Sequence, residues 1–400
     1  MNKTISKMSE IRLRKDIKIK QRLVLATIIL LPLFTIDEQL YYYGFSDSME
    51  VMSQGIKMIK DLMFAAIYIV SFYFYQKRGK LPKTFAYFLP FYILLMLCFI
   101  ATTSRQAGLA GLRWCHVFFL SLCLYGCVDD NFMIKTCKLF RMLLVVQVAS
   151  QIFELFYMPP LGGYNSMGLA NRVPGIFVHA SAAGAFASLN YLFMVLYREY
   201  ISKKTFRVTF IMLIASQIMA MSSTGIALLI GLIFFEKYQK HGRGKIILVL
   251  FILLCPIIWA NLDFLAGREA GDSDISGGTR LGIMGDALDK MELVSTKFGL
   301  ATNTAVSMKL PHSEIVDSSY ISLLSNVGLL GLLYIIIPLI YLFLKSINTG
   351  NKRLTLSMIW ILGVSFPIIT MELFPFNLIV AILLNYWLFN KNKNSRTVLS

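Results

Sequence analysis

The feature that most constrains this chain is a series of apolar blocks separated by short clusters of Lys and Arg. Each block has about 15–25 residues, the length a helix needs to cross ~30 Å of hydrocarbon. Twelve blocks read as spans: 22–36, 57–75, 84–101, 113–128, 135–158, 175–197, 206–221, 224–238, 245–262, 319–344, 354–369 and 371–389. The expected fold is therefore an all-α integral membrane protein with about twelve transmembrane helices. Alternating strands of the outer-membrane barrel type are not seen. Composition agrees: 56% of residues are apolar, 15% are charged and mean hydropathy is +0.64. Soluble domains carry about 25% charge.

The basic residues set the orientation. Residues 1–21 hold Lys3, Lys7, Arg12, Arg14, Lys15, Lys18 and Lys20, and later clusters fall in every second loop, among them Lys77–Lys83, Arg198–Arg207, Lys237–Lys245 and Lys345–Arg353. The first loop on the other side carries Asp37, Glu38, Asp47 and Glu50. By the positive-inside rule both termini are cytoplasmic. The N-terminus is basic and then apolar, but no small-x-small cleavage site follows, so the first helix is expected to stay uncleaved. The tail 390–400 is Asn-rich and expected to be disordered.

One outside connection is long. Residues 263–318 form an expected extracytoplasmic loop between helices 1–9 (22–262) and helices 10–12 (319–389). Within it Leu281, Met284, Leu288, Met291 and Leu293 recur at helical spacing, which predicts an amphipathic helix. Gly277, Gly278 and Thr279 precede it, Thr279 as an N-cap.

Several function classes are disfavoured. The formal charge of +17 lies in alternate loops and does not form one basic face, which argues against nucleic-acid binding. The six cysteines all sit in or beside apolar blocks and lack the partners of a metal site. The stretch Asp272–Gly277 opens like a calcium loop, but Ile283 stands where the last ligand belongs. There is no P-loop, Ser-His-Asp set or HExxH. No cofactor is expected.

Candidate functional residues are those that oppose the topology signal. Arg105, Arg113, Arg172, Arg268 and Arg280 lie on the outside, where bases are scarce. Arg binds phosphate through a bidentate fork. Arg268 has a ready partner in Glu269. Arg172 precedes a span, Arg280 opens the loop helix, and His179 lies near the outer end of its span. His312, Glu314 and Asp317 close the loop and can supply a general base, though Asp317 can equally cap the next helix. The Ala/Gly run after His179 reads as helix packing.

At these residues the chain resembles the Wzy-type polysaccharide polymerases, in the superfamily shared with O-antigen ligases. Arg172 through His179 is similar to the family's Arg-x-x-Gly-x-Phe-x-His stretch. Ser222-Ser223-Thr224-Gly225 resembles its Ser-x-Ser-Arg-Gly stretch, with Thr224 replacing the usual Arg. Gly278-Thr279-Arg280, Asp286-Ala287-Leu288 and Phe298-Gly299 resemble the start of the large loop. Ser318 through Leu332, with Asn326-Val327-Gly328-Leu329-Leu330-Gly331, resembles the hallmark after it. The match is best over 165–335, and His312-Ser313 departs from the His-Asn pair of many ligases.

The resemblance implies a metal-independent inverting glycosyltransferase in the cytoplasmic membrane. Its donor and acceptor would be glycans on polyprenyl pyrophosphate, and flippase and chain-length proteins would be its partners. It implies Arg172 and Arg280 at the pyrophosphate and His312 or Asp317 as base. His179, Arg105 and Arg113, by their place on the outer side, are further candidate substrate contacts. A ligase moving finished glycan to another acceptor, or a lipid-linked oligosaccharide flippase, are the alternatives. A transporter usually shows two related halves, which are not found here.

Overall fold

The computed structural model describes residues 2–33, 54–78, 83–157, 173–177, 179–238, 285–302, 304–305, 308–312 and 318–388. Among these, every regular element is helical. In chain order they are α1 (Asn2–Ile29), α2 (Gln54–Arg78), α3 (Lys83–Ala101), α4 (Arg105–Trp114), α5 (His116–Cys123), α6 (Asp130–Tyr157), α7 (Ala180–Leu196), α8 (Lys203–Ala220), α9 (Ser223–Tyr238), α10 (Ser319–Val327), α11 (Leu329–Asn348), α12 (Lys352–Val364) and α13 (Phe376–Leu388). Three of them contain segments long and apolar enough to cross a membrane: Met58–Gln76, Asp130–Phe156 and Leu329–Asn348.

The expected spans at 57–75, 84–101, 135–158, 206–221 and 224–238 coincide with α2, α3, α6, α8 and α9. The span at 245–262 lies outside the described residues, as do 263–284 of the large loop and the tail 390–400. Three expectations need correction. The span at 113–128 is two short helices joined at Cys115, and the first begins at Arg105. The span at 319–344 is broken at Gly328 into α10 and α11, so residues 319–389 form four helices, not three. The described part of the loop helix is 285–289; it ends by Lys290, short of Met291 and Leu293, and Leu288, Met291 and Leu293 are all exposed.

Each break has a local cause. Ser104 caps α4, its Oγ accepting the Ala107 N–H at 3.3 Å. The buried residues of α4 are Ala107, Gly108, Ala110 and Gly111, too small to register as an apolar stripe, and Trp114 at its last position. At Gly328 the backbone takes φ 86°, ψ −179°, a region closed to other residues. A Cβ there would sit 2.6 Å from the Leu293 carbonyl oxygen.

Helix α7 is the axis of one half. Nearly all of its side chains are buried, and it packs against α6, α8, α9 and α12. Gly184 on α7 meets Gly225 on α9 so closely that a Cβ on Gly225 would lie 2.4 Å from the Gly184 Cα. The Ala/Gly run therefore does the packing work that its composition implies. In the other half α13 packs on α5, and α1 packs on α2.

Interhelical bonds sort the helix ends into two groups. At one end Lys20, fully buried, donates from Nζ to the Cys123 carbonyl at 2.8 Å and faces the Phe74 ring. The same end holds Arg353 paired with Glu199 at 3.0 Å, Lys352 on the Glu236 carbonyl, and the Tyr386–Asp130 contact. At the opposite end lie the Arg113–Asp61 pair, the segment 173–177 and the loop 292–305.

Candidate functional site

The loop between Glu292 and Ala305 is held by side chains that point up from the bundle. Thr102, at the end of α3, accepts the Phe298 N–H on its Oγ1 at 3.0 Å. Asn326, at the end of α10, accepts the Gly299 N–H on its Oδ1 at 2.8 Å and is itself oriented by donating to the Ser322 carbonyl at 2.8 Å. Ser295 donates to the Ser325 carbonyl at 2.6 Å. Glu372 accepts both the N–H and the hydroxyl of Thr304, at 2.6 and 2.7 Å. In return the loop completes the broken helix: the Glu292 and Leu293 carbonyls accept the Leu329 and Leu330 N–H groups at 2.9 and 3.2 Å. Those are N–H groups with no partner inside their own helix. Beneath the loop, Phe298 rests on Gly111, and Gly299 on the Ala107 carbonyl.

This arrangement encloses a pocket of about 480 Å³. Its polar lining includes His312, Asp286, Lys290, Lys297, Thr296 and Ser325; Leu300, Ala301 and Leu324 supply apolar wall. His312 is exposed and adopts φ 62°, in the left-handed region. Lys309 does the same at φ 52°. Glu292 is already engaged by Thr296, whose N–H it accepts at 2.7 Å. The pocket thus combines a carboxylate, an imidazole, two ammonium groups and hydroxyls. That set suits a ligand rich in hydroxyl groups.

A second arrangement lies at the same end. The segment Val173–Phe177 has no regular structure of its own, yet it is buried. Its polar groups are answered by one face of α6. Gln147 donates to the Pro174 carbonyl and accepts the Ile176 N–H, both at 2.8 Å. Gln151 donates to the Val173 carbonyl at 2.8 Å, and Glu154 accepts the Gly175 N–H at 2.9 Å. These residues recur at four and three positions, one helical face. In an apolar bundle irregular backbone persists only when its groups are met this way.

Of the residues singled out in the sequence, His312 lines the pocket. Arg113 is paired with Asp61 at 3.3 Å. Arg105 is exposed in the first turn of α4, and His179 is exposed at the start of α7. The structure does not bring these three into the pocket. Arg172, Arg280 and Asp317 lie outside the described residues. Lys290 and Lys297 were not legible as site residues, because surface loops carry lysines routinely. The Gln147, Gln151 and Glu154 face was legible in principle: three strongly polar residues within an otherwise apolar span signal an internal partner.

No protein-family model, curated protein or solved structure matches this chain.

Proposed function

We propose that this protein is a glycosyltransferase that polymerises lipid-linked oligosaccharide repeat units into a cell-surface polysaccharide. In this reading it spans the cytoplasmic membrane twelve times with both termini cytoplasmic, and the pocket opens on the outer face. The observation that carries the reading is the pocket itself, where His312 stands among hydroxyl, carboxylate and ammonium groups. The loop that builds it also exposes Leu288, Met291 and Leu293. A polar pocket beside exposed apolar side chains suits a substrate with a sugar head and a lipid tail.

The chemistry follows from the groups at hand. An inverting transfer needs an acceptor hydroxyl in line with the leaving group and a base to take its proton. His312 fills that role, with Asp317 as the alternative. The donor breaks its bond to pyrophosphate, so energy comes from the donor and not from a nucleotide. Arg172 and Arg280 stabilise the departing charge through bidentate contacts. Ligase and flippase remain as rival readings.

The test is to delete the protein and identify which lipid-linked glycan accumulates. A polymerase defect leaves single repeat units exposed on the outer leaflet. Long lipid-linked polymer would point to a ligase, and single units protected from added glycosidase to a flippase. Purified protein in detergent with EDTA should join lipid-linked repeat units into a ladder without ATP, and a strict metal requirement would refute the mechanism.

A further inference from the structure

The half of the bundle away from the pocket carries a feature that the transferase reading does not use. Helix α6 shows a face with two chemistries. From Met142 through Val145, Val146, Ile152, Phe153 and Phe156 it is apolar and exposed. Toward its start the exposed residues are Asp130 and Asn131 in the first turn and then Lys135 and Lys138, followed by the half-buried Arg141. Helix α8 repeats the pattern: Lys203, Lys204 and Arg207 are exposed, then Val208, Ile211 and Ile218.

The two changes of chemistry lie at one height. Both helices run antiparallel to α7, so they run parallel to each other: Cys137 bonds near the end of α7, at Phe193, while Gln217 bonds near its start, at Gly184. Gln151 of α6 donates to the Ser216 carbonyl of α8 at 3.2 Å, which fixes their register. Arg141 lies ten residues before Gln151 (151 − 141) and Arg207 nine before Ser216 (216 − 207). At 1.5 Å per residue these are about 15 and 14 Å below the shared bond. Two adjacent helices thus turn from basic to apolar on the same plane.

Arg141 sits on that plane with an unmet need. Its Nε is closed off from solvent and has no hydrogen-bond partner. The two terminal nitrogens are not closed off in this way, and they are the ones an acceptor from outside the protein can reach. Side chains on a helix lean toward its N-terminus, which carries this guanidinium from the apolar belt toward Lys138. Four acids at this end are engaged elsewhere: Glu199 with Arg353, Asp130 with Tyr386, Asp129 with the Phe132 N–H and Glu236 with the Tyr191 hydroxyl.

We infer that the basic face shared by α6 and α8 is a binding surface for anionic phospholipid headgroups, with Arg141 reaching the phosphate from below. A phosphate diester offers the paired oxygens that a guanidinium fork engages. The inference stands on the bundle's lipid boundary and holds whether or not the pocket transfers sugars.

Native mass spectrometry of the full-length protein in detergent, titrated with phosphatidylglycerol or phosphatidylcholine, tests it. The wild type should retain phosphatidylglycerol preferentially. Arg141→Gln should weaken that affinity about tenfold, the order of one charge-assisted hydrogen bond, and leave phosphatidylcholine unchanged. Arg141→Lys should recover only part of it. Unaltered phosphatidylglycerol preference in Arg141→Gln overturns the proposal. Should that variant fail to accumulate, Lys138→Gln combined with Arg207→Gln reads the same surface: loss of the preference supports it, and retention overturns it.

Discussion

The Asn326 carboxamide oxygen lies 2.8 Å from the Gly299 nitrogen, and this bond joins two stretches of sequence that form one structural unit. Gly299 cannot carry a side chain because the Ala107 carbonyl lies beneath it, and Asn326 supplies the acceptor that its N–H would otherwise lack. The loop that walls the pocket depends on this pair and on Thr102.

Asn326→Ala should therefore loosen the loop. It leaves the Gly299 N–H without its acceptor, at a cost of about 1–3 kcal/mol. Limited proteolysis within 285–312 should accelerate, and thermal stability in detergent should fall. Asn326→Asp keeps the acceptor but not the donor to Ser322, and should lie between. Equal protection of Asn326→Ala and wild type would show that the bond does not hold the loop.

Gly299→Ala should be more severe. Its φ of 84° is strained for any L residue, and the new methyl would meet the Ala107 oxygen at 1.7 Å. Backbone must move, at a cost above about 2 kcal/mol. Gly285→Ala, which meets nothing within 4 Å, is the matched control and should be silent. Comparable melting temperatures for the two variants would contradict the packing described.

His312→Asn tests the pocket chemistry. Asn tolerates the left-handed backbone that His312 adopts, so folding should be preserved. Without a general base, turnover should fall about 10²–10⁴-fold, with a smaller effect on KM. Full activity in a stable His312→Asn protein would move the base to Asp317.

The orientation is accessible to labelling. A cysteine replacing Ser273 should react with an impermeant maleimide in intact cells, and one replacing Lys203 should not. Among the described residues Cys98, Cys115, Cys123, Cys127 and Cys137 are all buried; Cys255 lies outside them and is replaced by Ser in the labelling background. The reverse pattern would discard the twelve-span topology.

The long helices were legible because hydropathy over a window of about 20 residues averages out local detail. The breaks were not. Gly328 sits at the head of a long apolar run, two residues after Ser325-Asn326, and the approach of Leu293 from far along the chain explains why the helix stops there. Helix α4 was missed as a separate element because, before Trp114 at its end, its buried residues are only Ala and Gly. His312 stood out as one imidazole at the end of a polar loop. Its neighbours Lys290 and Lys297 needed the fold, because their positions are set by backbone bonds to α10 and α11 that leave no trace in composition.

The capping of α11 by the loop has a mechanical consequence. Helix α11 has twenty residues, about 30 Å of rise, and its first N–H groups are held by Glu292, which lines the pocket, and by its neighbour Leu293. A helix of that length tilts as bilayer thickness changes. Because its leading end is bonded to the loop, any tilt of α11 would be passed to Glu292 and so to the wall of the pocket.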